Sequence, residues 1–292
     1  MIELELNPLT DLKREGKSFY WASFFLPRNS KIKAGILYSI CRHFDDVADK
    51  HNKDQTTYLK KSIEEIKKNK ENKVNIFLQK NKIDNAIFID LIEGLILDQK
   101  KTVIQNKSEL IQYSYHVAGT VGLMMSKIIG VEDKKAAQSA IDLGIGMQLT
   151  NIARDVHEDS KIERIYLPAD WIPDISLKNL SNLHESNSQK DEKISNAIHK
   201  VISLSEKFYK NGFAGLKYIP ISTRLGIFIA ANVYRGIGIK IKSKKKYLRD
   251  RVYLNLFEKS FITIKSILIF IILPLINFQY EKIRVSLPNE DL

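Results

Sequence analysis

Gln148 to Pro168 reads QLTNIARDVHEDSKIERIYLP, and the spacing of its polar residues decides how the chain is read. Asp155 and Asp159 stand four residues apart, Asn151 four before the first of them and Gln148 three before that. On an α-helix all four therefore project from one face. Two carboxylates and two amides are hard oxygen donors suited to Mg²⁺, which keeps several waters and completes its shell with a few carboxylates and substrate phosphate. A phosphorylated ligand follows from that donor set.

A second acidic face lies upstream, in Arg42-His43-Phe44-Asp45-Asp46-Val47-Ala48-Asp49. Asp45 and Asp49 stand at i and i+4, Asp46 and Asp49 at i and i+3, and Arg42 is one turn before Asp45. One DxxxD alone is most simply an acidic helix surface in water. Here two of them interrupt apolar helices, ILYSICRHF and AIDLGIGMQLTNIA, where exposed acid is not expected. Brought opposite each other, such faces repel unless cations lie between them, and a diphosphate would then be held by bridging metals with Arg42 in support.

At these residues the chain resembles the squalene/phytoene synthase family, and within it bacterial phytoene synthases. The motifs that carry the resemblance are GKSFYWASFFLP at 16–27, ILYSICRHFDDVAD at 36–49, YSYHVAGTVGLMMS at 113–126, GMQLTNIARDVHEDSKIERIYLPADW at 146–171 and VYRGI at 233–237. The resemblance implies an all-α fold, a single domain over 1–292 with helices around a central cavity. It implies metal ligation by Asp45, Asp49, Asn151, Asp155 and Asp159, with Mg²⁺ or Mn²⁺ as the ion. It further places Lys17, Ser18, Arg154 and Arg251 near the diphosphates, and Phe19, Tyr113, Val117, Ala118 and Val121 along the hydrocarbon channel. Tyr38 and Arg42 continue the first acidic face, as Gln148 does the second. Tyr234 offers a π-face and a hydroxyl, either of which suits a site that handles carbocations and diphosphate.

The implied reaction is head-to-head condensation of two geranylgeranyl diphosphates through prephytoene diphosphate to phytoene, with no NADPH. Its nearest rival is a squalene or presqualene diphosphate synthase acting on farnesyl diphosphate. A rival of another class is a basic, non-catalytic protein associated with membrane or nucleic acid. The formal charge of +12, from 46 Lys and Arg against 34 Asp and Glu, does not choose among these. Much of the lysine lies in stretches such as KKNKENKVN that read as solvated helix ends, and no nucleic-acid-binding motif is recognised.

Sparse glycine and proline, 13 and 7 in 292 residues, favour helix over sheet. One cysteine, Cys41, fits a reducing, cytoplasmic compartment and reads as an inert buried thiol. The N-terminus has no apolar core behind a basic start and does not read as a signal peptide.

Helices are expected over 17–25, 32–49, 58–68, 88–100, 109–129, 134–158, 198–208 and 223–241. Within 88–100, Phe88, Leu91, Ile92, Leu95 and Ile96 form a core stripe, with Asp98 off it. Small residues at Ser23, Ala34 and Gly35 line either the channel or a close helix contact. Gly119 and Gly122, each costing about 1 kcal/mol in a helix, allow either a bend beside the substrate or tight packing. His116, amid apolar residues, reads as structural. Past Asp159 the chain should turn, with Arg164 and Tyr166 covering the metal site between there and Pro168 and Pro173. Residues 174–195 read as a surface loop. The run KSKKKYLRDR up to Arg251 is basic enough for anionic lipid heads. The apolar stretch at 261–278, FITIKSILIFIILPLINF, contains Lys265 and Pro274 and is short for a membrane span. Monotopic contact with a membrane surface is the expectation, beside a buried helix. Other partners expected are the prenyl diphosphate substrate and downstream carotenoid enzymes, and not nucleic acid.

Overall fold

A computed structural model of the chain describes residues 7–50, 53–99, 103–174, 176–181, 188–243, 251–272, 275–276 and 278–290. These residues form α1 (Pro8–Arg14), α2 (Lys17–Ser23), α3 (Arg28–Ala48), α4 (Lys53–Lys67), α5 (Lys73–Lys80), α6 (Asn85–Asp98), α7 (Lys107–Ser114), α8 (Thr120–Ile128), α9 (Ala136–Lys161), α10 (Leu177–Ser181), α11 (Ser188–Ala214), α12 (Ile221–Ser243) and α13 (Leu256–Ile272). Among the described residues no strand forms; Val103 and Ile165 meet in one isolated parallel bridge. The lysine run at 244–250 and Pro274 lie outside the described residues.

Helix α9 is the centre of the assembly, and most of its first half is buried, Ala136, Ala137, Ile141, Gly144, Ile145 and Leu149 among it. It touches α7, α8, α10, α11 and α12. Two of its glycines bring neighbours close on opposite sides. A Cβ on Gly144 would stand 2.2 Å from the Ala118 carbonyl oxygen, and one on Gly146 would stand 3.3 Å from Phe208. Across the same joint, a Cβ on Gly122 of α8 would lie 2.2 Å from the Ala140 carbonyl oxygen. Tight packing is thus the reason for the glycines of the 113–126 motif.

Helices α7 and α8 are one rod interrupted by a π-helical turn, Tyr115–Gly119. Such a turn carries one extra residue and commonly marks a functional site. It contains Val117 and Ala118, both half-buried. His116 binds the Asp90 carbonyl through Nδ1 at 3.1 Å, the structural role expected of it.

Two expectations need correction. Gly35 does not face a channel, because its missing Cβ would lie 3.2 Å from Pro8; α1 covers that side of α3. Residues 174–195 are not one loop: α10 occupies Leu177–Ser181 and α11 begins at Ser188. The polar opening turns of α11 hid it, for its buried stripe starts only at Ile194, with Ala197, Ile198, Val201 and Ile202 following. Several other helices run beyond the expected spans, α4 from Lys53 and α9 to Lys161.

The end of α9 is set by a backbone motif that no glycine announces. Glu163 adopts φ +61°, Arg164 N–H donates to the Asp159 carbonyl at 3.0 Å and Glu163 N–H to that of Ser160 at 3.2 Å. This paired closure reverses the chain. The following segment is then tied to 103–105, with Ile104 N–H donating to Ile165 O at 3.0 Å and Ala169 N–H to Ile104 O at 2.9 Å.

Candidate active site

The first acidic motif closes α3. Arg42 reaches forward one turn, its Nη1 3.2 Å from Asp45 Oδ2 and its Nη2 2.5 Å from Asp46 Oδ1. Asp45 keeps 46% of its side-chain surface open, yet its carboxyl is pushed up to about 6, first by desolvation and then by Asp49. Tyr38, two turns before Asp45, is raised by burial and stays a neutral phenol.

The second motif lies on α9. Arg154 grips Asp155 with two bonds, 2.7 and 2.5 Å, and Arg251 adds two more at 2.8 and 3.1 Å. Asn151 donates to Gln148 Oε1 at 3.2 Å, and its own Oδ1 is buried with no hydrogen-bond partner. Asp159, one turn beyond Asp155, is pushed up to about 8 by burial first and by the Asp155 charge second, while Arg164 pulls it down.

Asp98, at the end of α6 and 5% exposed, joins the two motifs. It accepts from Tyr166 Oη at 2.8 and 2.7 Å and from Tyr113 Oη at 3.3 Å, and the two tyrosine rings stack at 4.6 Å. Arg164 lies 3.4 Å from Asp98 and 3.0 Å from Asp49, so one guanidinium spans to the α3 acids. The Asp98 charge also raises both Asp45 and Asp159. The two acid-bearing helices therefore face a common centre. Sequence spacing sets Asp98 aside with Glu93, both off the apolar stripe of α6 and neither part of a paired motif; only burial distinguishes Asp98. Arg164 and Tyr166 close over the acids as expected, and both are buried.

The opposite wall comes from α2 and α12. Phe19 stacks on Tyr234 at 4.6 Å, and Tyr234 is raised by burial within reach of the Arg154, Asp155 and Arg251 charges. Trp21 Nε1 donates to Thr263 Oγ1 at 2.9 Å. One turn earlier on each helix stand Lys17 and Lys259, whose ammonium is lowered by partial burial and by Lys17. Neither lysine makes an ion pair among the described residues. Ser18 is half-buried between Lys17 and Phe19. Lys259, on the apolar C-terminal helix, had no signal in the sequence. Cys41 is pushed up to about 12 by burial, the inert thiol expected.

These residues suit divalent ions. Carboxyls raised by neighbouring acids are relieved by cations, and the orphaned Asn151 Oδ1 is an oxygen donor in line with Asp155. Among the described residues no three or more His, Cys, Asp or Glu side chains are grouped to hold one ion.

The squalene/phytoene synthase family matches residues 12–258. The 15-cis-phytoene synthase of Enterobacter agglomerans is 31% identical over 243 residues, 77% of this chain and 81% of that one. That of Pantoea ananas is 30% identical over 258 residues, 80% and 81% of the two chains. Among solved structures, a dehydrosqualene synthase in complex with ligand superposes with a TM-score of 0.73 at 22% identity, covering 90% of this chain and 94% of that one. A squalene synthase from Alicyclobacillus acidocaldarius gives 0.68 at 18% identity, with 80% and 90% covered. The structural likenesses establish the isoprenoid-synthase helical fold, and the sequence match runs through both acidic helices and the residues between them. The chain belongs to the squalene/phytoene synthase family, whose members are prenyltransferases that join isoprenoid diphosphates head to head.

Proposed function

We propose that the chain is a phytoene synthase that condenses two geranylgeranyl diphosphates, through prephytoene diphosphate, to phytoene and diphosphate. The observation that carries this reading is the convergence of Asp45, Asp49 and Asp159 on Asp98 and Arg164, with Asp155 one turn before Asp159 on the same face. Bound Mg²⁺, or Mn²⁺, would supply the positive charge that lets an allylic C–O bond break toward diphosphate. Arg42 pairs with Asp45, and Arg154 and Arg251 pair with Asp155. Were cations held on these carboxylates, Arg42, Arg154 and Arg251 would be available to phosphate oxygens, as would Lys17 and Lys259.

The chemistry needs no protein nucleophile. The C–O electron pair leaves with the first diphosphate, and the C1 cation is attacked by the double bond of the second chain. Loss of a proton closes the cyclopropane. In the second half-reaction the remaining C–O bond breaks, the cation rearranges, and loss of a proton gives the triene. Burial keeps Tyr38, Tyr113, Tyr166 and Tyr234 as phenols and Cys41 as a thiol, so none is an anion that would trap a cation. Phe19 and Tyr234 offer stacked π-faces beside the Asp155 cluster. Val117, Val121 and Met147, half-buried on the facing walls of α8, its π-turn and α9, exclude water along the hydrocarbon.

Incubation of the purified chain with Mg²⁺ and C15 or C20 diphosphate, with and without NADPH, tests this. A C40 triene from the C20 substrate, independent of NADPH, is expected. A C30 product, hydrocarbon or cyclopropylcarbinyl diphosphate, would favour the squalene-type rival, and neither hydrocarbon nor such a diphosphate from either substrate would refute both. Asp45→Asn and Asp155→Asn should each abolish product while leaving the circular dichroism unchanged.

The reading includes peripheral attachment of a cytoplasmic enzyme to a bilayer, since substrate and product are lipids. No described helix is long and apolar enough to cross a membrane. Helix α13 is apolar on two faces: Thr263 and Ser266 are buried, with Ile262 and Phe270 packed against the core, while Phe257, Phe261, Ile264, Leu268 and Ile271 are 59–79% exposed. An apolar stripe flanked by Lys265 on a basic chain fits an anionic lipid surface. Flotation with phosphatidylglycerol vesicles should carry the protein, and Phe257→Ser/Phe261→Ser/Leu268→Ser should abolish it. Equal flotation of the two would remove α13 as the contact.

A further inference from the structure

Residues 278–290 lie beyond the stretch that the family matches, 12–258, yet they hold deeply buried charge. Arg284, its side chain 3% exposed, donates through Nε to Asp142 Oδ1 of α9 at 2.6 Å and pairs through Nη1 with Glu290. Asn211 of α11 donates to the other Asp142 oxygen at 2.7 Å, and its amide exchanges two bonds, 2.8 and 2.9 Å, with the backbone of Glu281. Further along, Asn289 turns the chain at φ +60°. Its Nδ2 donates to Asp90 Oδ2 of α6 at 2.8 Å and to Tyr115 Oη at 3.1 Å, while Tyr115 donates to the same Asp90 oxygen at 2.7 Å.

A buried ionic network is a poor source of net stability, because desolvation offsets the attraction. What it does supply is placement. Asp142 is two residues before Gly144, and Tyr115 opens the π-helical turn three residues before Ala118. Gly144 and Ala118 are the pair whose backbones meet where α9 touches that turn. The C-terminal segment is thus fastened to both helices within a turn of their closest approach. Asp142 projects from the side of α9 away from Asp155, about 20 Å along the axis at 1.5 Å per residue.

We propose that residues 278–290 brace the contact between α9 and the α7–α8 rod, and so fix the far, hydrocarbon end of the cleft. Arg284 and Asn289 are then positioning residues for substrate chain length. The chain-length half rests on the reading of the cleft as a prenyl diphosphate site; the brace itself does not.

Two full-length variants test it. Asn289→Gly removes the amide while tolerating the left-handed turn, and Asp142→Asn/Arg284→Met/Glu290→Gln removes both ion pairs without stranding a charge. In each, amide hydrogen exchange over 115–122 and 140–146 should quicken about tenfold or more, with 36–49 unchanged. In competition between C20 and C25 diphosphates, use of the longer substrate should rise about threefold or more, with kcat on C20 little changed. Unchanged exchange, or a rise spread evenly over all helices, would overturn the brace. A local rise with unaltered length preference would overturn the specificity role. Local exchange changes in a chain that makes no hydrocarbon even as wild type would support the brace and count against the proposed reaction instead.

Discussion

Asp98 carries more of the site than its sequence context indicates. It is buried with Arg164 and receives two phenol hydroxyls, so truncating it removes the buried one of the two carboxylates that Arg164 meets and leaves both phenols without their acceptor. Asp98→Ala should lower unfolding free energy by about 3 kcal/mol, the cost of breaking a buried pair, measured by urea denaturation. Asp98→Asn keeps acceptors for Tyr166 and Tyr113, and should unfold near the wild-type midpoint while product formation drops at least about tenfold. The acids themselves set a pH dependence. A carboxyl held above its usual range binds its proton more tightly folded than unfolded. Stability therefore falls as pH rises from the usual carboxylate range through about 6 for Asp45 and about 8 for Asp159. The Tm of the metal-free chain should decline between about pH 5 and about pH 8.5, and Mg²⁺ should raise it more at the upper end, where it no longer competes with protons. A Mg²⁺ response that is flat with pH would argue that these two carboxyls do not bind the ion.

At the scale of elements, the joint between α8 and α9 depends on glycine. Any Cβ at Gly122 or Gly144 meets a carbonyl oxygen that belongs to the facing backbone and cannot rotate away. Gly122→Ala and Gly144→Ala should each destabilise the chain by about 1–3 kcal/mol by calorimetry or urea, although alanine is the better helix former. Gly35→Ala presses on Pro8 at 3.2 Å, where α1 can give slightly, and should cost less than either. The amphipathic period announced α3, α6, α9 and α12. It missed α1, α5, α10 and the opening of α11, where short length or exposed polar turns leave little apolar period to read. It also gave no sign of the π-turn, since a single extra residue leaves the apolar composition unchanged.

For the whole molecule, attachment to anionic vesicles should have two components. Raising salt screens the lysines but leaves the α13 stripe, so flotation should weaken between about 0.1 and about 1 M salt without vanishing. Complete release at high salt would mean that charge alone holds the protein. Deleting 261–292 would not report on α13 by itself, because it also removes Arg284 and Asn289 from α9 and α6.

By itself the sequence determined the helical class, the two acid-bearing faces and the arginine beside each, because helical spacing alone decides which side chains share a face. Cys41 and His116 also proved to be the inert groups their apolar neighbours implied. Only tertiary structure decided that Asp98 and Arg164 join those faces, that Lys259 stands beside Lys17, and that Arg284 grips Asp142 from 142 residues away. Periodicity encodes the direction a side chain takes from its own helix. Which distant helix it then meets is set by how glycine contacts and buried charges seat the helices against one another.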